Sequence, residues 1–306
     1  MTQAHEKIIA DYHIRHRSLC QQCSHRKRRR FFVTAEVAAG QDVVPADIIE
    51  NGIDQDRIAG AIESDVRLGY DLGPLLLDFG ADIALYPEDS RFNRYAFGPG
   101  IRADFPLDEN EATKLRLGAE YQYVLGEDGR VFDRPRAEAQ LIHRHSKEHV
   151  TTARLRFGFR NQSEDRFTGF DQSEWLAELR HNWRPEGGPT SVNLSLLGLK
   201  HDADDNRFSY TGYGFRLVGS TPVAEKLTGL VRISVVQRDY EDDFSQLYPV
   251  NRSDTHIRAT AGLDYQAWDR VSIFAEAGYV SNASNIPVRD FDGFVGRLGL
   301  RFTFED

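Results

Sequence analysis

Cys20-Gln21-Gln22-Cys23, with His13, His16 and His25 close by, brings thiols and imidazoles together at metal-ligand spacing. A structural zinc site needs four such donors. A single C-x-x-C without a second pair at the usual interval falls short of that, so no metal and no cofactor is expected. His143, His145 and His149 also cluster, and a hydrolase would need such a base beside a Ser or Thr nucleophile. No Gly-x-Ser-x-Gly elbow accompanies them. These histidines, and the isolated His201 and His256, are read as surface or interfacial residues. The acidic runs Asp202, Asp204, Asp205 and Glu241-Asp242-Asp243 lack the spacing of an EF-hand loop and read as solvated surface. No catalytic residue is assigned, and the chain is expected not to be an enzyme.

The charge that remains is spread along the chain at alternate positions. Arg67, Arg102, Arg116, Arg136, Arg154, Arg156, Arg180, Arg216, Arg232, Arg258, Arg297 and Arg301 share one phase. Glu63, Asp65, Asp78, Asp82, Asp104, Glu120, Glu138, Glu174, Glu178, Asp264 and Glu276 share it with them. The two signs nearly balance. The plain reading is a solvated wall of cross-strand ion pairs, each worth about 0.2–1 kcal/mol. The sharper reading is a polar conduit whose arginine ladder guides an anionic or polypeptide cargo.

Only strands place every second side chain on one face. The final segment shows the pattern best: Phe294, Gly296, Leu298, Leu300, Phe302 and Phe304 alternate with Arg297, Gly299, Arg301 and Thr303. Similar stretches begin at Phe31 and recur to the end. They lie near 31–39, 57–70, 75–85, 94–105, 114–123, 134–145, 150–160, 173–183, 191–200, 212–217, 227–238, 257–265 and 271–279. In 191–200 the phase breaks at Leu196-Leu197, which predicts a bulge. An apolar face opposite a charged one needs two solvents. In a soluble sandwich the apolar face meets a second sheet; in an outer-membrane barrel it meets lipid, and the charged face meets a wet lumen.

The connections favour lipid. Asp71–Pro74, Ser146–Glu148, Glu186–Thr190 and Trp268–Asp269 are tight, whereas Gln41–Asp56, Asn161–Gln172, Asp239–Asp254 and Ser281–Arg289 are longer and acidic. Short turns on one side and long loops on the other mark a transmembrane barrel. Tyr70, Phe105, Trp183, Tyr265, Trp268, Tyr279 and Phe304 lie near strand ends and suit interfacial girdles. The expected fold is all-β: one antiparallel transmembrane β-barrel of about 14 strands over 31–306, behind a polar, basic segment 1–30 that is disordered or helical. An even strand count puts both barrel ends on the periplasmic side.

Bulk composition agrees. A mean hydropathy of -0.51 and 28% charged residues leave no run long enough for a spanning helix, and alternating strands average to this mild polarity. Gly 25, Tyr 12 and Phe 19 against Met 1 suit strands, turns and aromatic belts. Acidic residues outnumber basic ones by 47 to 38 and the net charge is -9, which disfavours nucleic acid as a partner. Met1–His25 is polar and the basic cluster Arg26–Arg30 follows it, so no export signal with an apolar core is visible. The expectation is a product lacking its upstream part.

The last two strands and their loop run from Phe274-Ala-Glu-Ala-Gly-Tyr through Ser284-Asn-Ile-Pro-Val-Arg-Asp-Phe-Asp-Gly to Arg301-Phe302. This resembles the C-terminal barrel of the surface lipoprotein assembly modifier family of Gram-negative bacteria, where a Ser-Asn-Ile plus Asp-aromatic-Asp loop similarly precedes the closing strand. The opening Phe31-Phe-Val-Thr-Ala-Glu resembles that barrel's first strand. The resemblance covers roughly 26–304 and is carried by strand count and end motifs. It implies a non-enzymatic 14-stranded barrel that helps lipoproteins or other proteins reach the cell surface. The chain departs from the family in three places. Residues 1–30 hold no helical tetratricopeptide-like repeat, the first loop has Gln41-Asp42-Val43-Val44, and Phe304 is followed by Glu305-Asp306.

The leading expectation is therefore a translocation or assembly module for surface-exposed (lipo)proteins, resident in the bacterial outer membrane. Its partners would be outer-membrane lipid and lipopolysaccharide, an exported lipoprotein or protein cargo, and the barrel-assembly machinery. A general diffusion channel or a scaffold barrel without cargo specificity is the alternative. A soluble secreted β-protein is the third. The expected lumen-lining residues are Arg67, Arg102, Arg116, Arg154, Arg156, Arg180, Arg232, Arg258, Arg297, Arg301, Glu120, Glu178 and Glu276.

Overall fold

A computed structural model describes residues 30–44, 58–163 and 169–306. The Cys20–Cys23 pair, its neighbouring histidines and most of the first loop lie outside the described residues. Fourteen strands follow one another: β1 Arg30–Val43, β2 Ile58–Asp71, β3 Leu75–Leu85, β4 Arg94–Pro106, β5 Thr113–Gly126, β6 Gly129–Arg144 and β7 His149–Gln162 come first. β8 Gln172–Trp183, β9 Ser191–Ala203, β10 Tyr210–Ala224, β11 Leu227–Ser245, β12 Tyr248–Trp268, β13 Val271–Ser284 and β14 Phe291–Glu305 complete the set. Each pairs antiparallel with its sequence neighbours, and β1 pairs with β14 from Phe32↔Glu305 to Gln41↔Gly296, so the sheet closes on itself. Closure leaves no unpaired edge, which is the condition for a sheet to stand in hydrocarbon.

The alternation sorts the side chains as the two-solvent pattern requires. Leu155, Leu196, Leu298 and Phe294 are 63%, 55%, 62% and 78% exposed on the outer face. Their immediate neighbours Arg154, Ser195 and Val295 are buried on the inner one. A soluble sandwich would hide the apolar row against a second sheet; among the described residues there is one sheet, closed, with the apolar row outward. That removes the soluble reading. Among the described residues no helix is long and apolar enough to cross a membrane.

Two sequence expectations about the strands need correction. β9 has no bulge: Leu196 and Leu197 pair in unbroken register with Phe215 and Gly214 on one side and with Leu179 and Glu178 on the other. Leu196 simply faces out while Leu197 packs inward with Leu176 and Val236 in a small apolar cluster. An apolar residue on the polar face mimics a phase break. Residues 239–254 are not a long loop either. β11 and β12 continue to a tight turn at 246–247, with register shifts after Asp239 and Asp243. Beyond the lipid layer neither face needs apolar side chains, so the alternation fades while the ladder persists.

Two loops at the end of the barrel opposite the chain's closing residues share one construction. Asp89 accepts from the backbone N–H and side chain of Arg91, and Asp205 does the same for Arg207. Each bond turns a short 3-10 segment and directs the next residue onto an aromatic partner: Phe92 edge-on to Tyr86, Phe208 stacked on Phe170. The side-chain hydrogen bond from the arginine holds each carboxyl below the usual aspartate range. A depressed folded value means that the contribution is present above the unfolded value and is lost as pH falls through the folded one. Protease access to both loops is therefore expected to be unchanged between about pH 7 and 5 and to rise only below about pH 4.

The seam depends on one close approach. A Cβ on Gly40 would run into the carbonyl oxygen of Gly296 across the β1–β14 pairing. Gly40→Val should destabilise the closed barrel by about 1–3 kcal/mol, measured as a lower denaturant midpoint and a weaker compact band on unheated gels.

Candidate functional site: the inner wall

Register sets the charged rows. Arg301 of β14, Glu36 of β1, Asp65 of β2 and Asp82 of β3 lie side by side across four strands. Glu36 accepts from Arg297 at 2.7 Å and from Arg301 at 2.7 and 2.9 Å, tying the seam on its inner face. Arg301 reaches over β13 to Asp264 at 2.6 Å, and Arg232 reaches over β12 to Glu276. Arg258 of β12 chelates Asp42 of β1 at 2.7 and 2.9 Å. Contacts that skip strands form where side chains converge, on the concave side of a closed sheet.

The arc from β2 to β8 is richer in arginine. Arg102 donates to Asp78 at 2.9 Å, and Arg67 lies 3.6 Å from the same carboxylate. Arg116 makes a two-point contact with Asp104 at 2.6 and 2.7 Å, and Arg136 pairs with Glu120. Arg154 donates to Glu138 at 2.6 and 2.9 Å and lies 3.5 Å from Glu178, which also accepts from Ser195. Arg156 stands opposite Glu138, and Arg180 opposite Ser195. All thirteen expected wall residues thus share the inward phase of their strands. They do not converge on one spot but form two neighbourhoods, one at the seam and one on the β2–β8 arc.

Periodicity missed a third neighbourhood. The Phe132 ring is fully buried, with the guanidinium carbons of Arg160, Arg134 and Arg94 at 4.7, 5.7 and 5.8 Å from its centroid. Arg134 donates to Gln122 and lies 3.5 Å from Glu174, and Arg160 donates to the same carboxylate at 3.2 Å. Beside them His201 stacks on Tyr210 at 4.4 Å and 12°. A register shift between Val124 and Leu125 explains the miss: Val131 to Arg134 are all buried, so alternation is lost there. The run of Arg130, Arg134 and Arg136 around Pro135 was the available signal.

The histidines divide. His143, His145 and His149 stand together on the outer face near the β6–β7 turn, joined by His181. Thr151 bridges His145 and His181, and His149 meets His181 at 3.1 Å. That agrees with an interfacial position. His201 and His256 do not fit the surface reading: they are 2% and 6% exposed and face inward. Each sits beside a polar strand neighbour, Tyr210 and Asn282 respectively, which takes up an imidazole that outer-face lipid would not. Among the described residues no group of three His, Cys, Asp or Glu has an arrangement that holds a metal ion.

No protein-family model matches the chain, and no curated protein matches it. The surface lipoprotein assembly modifier resemblance therefore remains a likeness of end motifs. Solved structures do match. CdiB from Acinetobacter baumannii superposes with a TM-score of 0.51 at 10% identity, over 92% of this chain and 61% of that one. The chain is an outer-membrane β-barrel. A loop-deletion form of OmpT, an outer membrane protein of Vibrio cholerae, matches at 0.47 and 10% identity over 90% and 99% of the two chains. A FadL homologue of Pseudomonas aeruginosa matches at 0.45 and 10% over 91% and 90%. Likeness at this identity carries the fold alone. A fold does not decide whether a chain is an enzyme, so the expectation that this one is not is withdrawn.

Proposed function

We propose that this barrel is a transport module of the outer membrane that moves or assembles surface-exposed proteins, lipoproteins among them. The observation that carries the reading is the β11–β12 hairpin. The last rungs that join it to its neighbours are Tyr210↔Tyr240 and Asp254↔Ser284, and beyond them it rises past Asn285 and Arg289, which touch Asn251 and Phe244, to a tip at 246–247. The tip leaves Leu247 84% and Val250 46% exposed, above the acidic Glu241, Asp242 and Asp243. The stalk rises from the end where the connections are mostly long, the outside end by the usual barrel rule. Apolar side chains held off the membrane on a rigid stalk suit contact with a protein, and a solute pore has no use for them. The likeness of β13, β14 and their loop to the lipoprotein-assembly barrels points the same way.

The test is surface display. Co-expression with a lipoprotein reporter should raise its accessibility to external protease several-fold. Leu247→Asp together with Val250→Asp should abolish the gain while the barrel still folds. A reporter unaffected by the intact chain, together with steady open-channel conductance in planar bilayers, would instead establish the second reading, a diffusion channel. What favours that alternative is the excess of arginine on the β2–β8 arc.

A further inference from the structure

Arg67, Arg102, Arg136 and Arg156 border a small, partly open space on the inner wall, lined also by Gly100 and Gly118. We propose that this space is a binding site for an oxyanion, a carboxylate or phosphate group carried by whatever passes the lumen. It deepens the transport reading by giving the cargo a chemistry.

Three observations converge. The first is charge. Four guanidinium groups meet three carboxylates in the lining, Asp78, Glu120 and Glu138, and Glu138 is already chelated by Arg154 from outside it. Asp78 is shared between two arginines: it accepts from Arg102, and Arg67 stays 3.6 Å away, beyond hydrogen-bond reach. The second is unmet donors. Arg67 and Arg136 are 6% and 5% exposed, yet among the described residues no acceptor meets Nε of Arg67 or Nη2 of Arg136. Buried N–H groups of a cation are costly to leave unpaired, so an acceptor belongs there. The third is the glycine lining. A Cβ on Gly118 would lie 3.0 Å from Cγ of Glu138 and 3.1 Å from Cγ of Arg102, and one on Gly100 would lie 2.8 Å from Oδ1 of Asp78. Glycine at both positions lets the charged side chains lie flat and keeps the space open. Planar guanidinium forks suit the paired oxygens of carboxylate and phosphate.

The full chain, refolded in detergent micelles, would be melted in sodium phosphate, in sodium acetate, in a glutamate-rich peptide and in sodium chloride at matched ionic strength. Phosphate and acetate should raise the midpoint by several degrees in a saturable way, while chloride gives only the shallow screening effect. A shift with the peptide as well would assign the site to a polypeptide cargo; a shift with the small anions alone would assign it to free solutes. Arg136→Gln should abolish the saturable shift. Should that variant not fold, Gly118→Leu fills the space without removing a charge and should abolish it too. Phosphate and acetate that behave like chloride, or a saturable shift that survives in both variants, would overturn the site. Binding without any reporter display would keep the site and discard the protein-transport reading, so the two fail separately.

Discussion

Glu36→Ala is expected to lower the unfolding free energy by about 3 kcal/mol, the usual scale for removing one partner of a buried charge group. Glu36 is the carboxylate on which Arg297 and Arg301 both converge, and its side chain is 18% exposed. Both arginines have second carboxylates: Glu63 and Glu276 lie 3.6 Å from Arg297, and Asp264 lies 2.6 Å from Arg301. Those partners limit the loss but cannot replace a bond that joins β14 to β1 where the sheet closes. Urea titration in micelles would measure the effect. Glu36→Gln, which keeps an acceptor oxygen and loses the charge, should fall between wild type and alanine. A cost of a few tenths of a kcal/mol would mean that the seam is held by its backbone ladder alone.

The second large effect is on the other face. Leu298 lies at the middle of β14 and is 62% exposed. Leu298→Arg should cost about 2–4 kcal/mol in a bilayer, as for a cationic residue at the midplane of a barrel's lipid face. The same substitution at Phe294, on the same face but nearer the strand's outer end and 78% exposed, should cost about 0–1 kcal/mol. The gradient is the informative part, since a protein core would penalise arginine at both positions without regard to depth.

How much of this was legible beforehand depends on the solvent each residue meets. All fourteen strands were visible, because lipid outside and ion pairs inside enforce strict alternation. Arg301 and Leu298 show both halves of that rule. The thirteen expected wall residues were read from the same phase, and the register places them on the inner face. Alternation tells which face a side chain takes but not which strand-skipping partner it finds, so Arg258 with Asp42 was out of reach. It also fails where the two-solvent condition lapses. Leu197 packs in an apolar patch on the polar face, the β5–β6 register shift hides Phe132, and the β11–β12 stalk stands outside the membrane. The β2–β8 site was visible only as an excess of arginine; the glycine lining that opens it depends on which strands lie side by side.

The central claim is that alternate side chains from β1 to β14 touch acyl chains. Nitroxide labels at Leu155, Leu196 and Leu298, one at a time in lipid vesicles, would test it through collision rates with oxygen and with a water-soluble nickel complex. All three should collide readily with oxygen and hardly at all with nickel, whereas a label at neighbouring Ser195 should be shielded from oxygen. Labels at the three leucines that are shielded from both, in a chain that stays soluble without detergent, would contradict it.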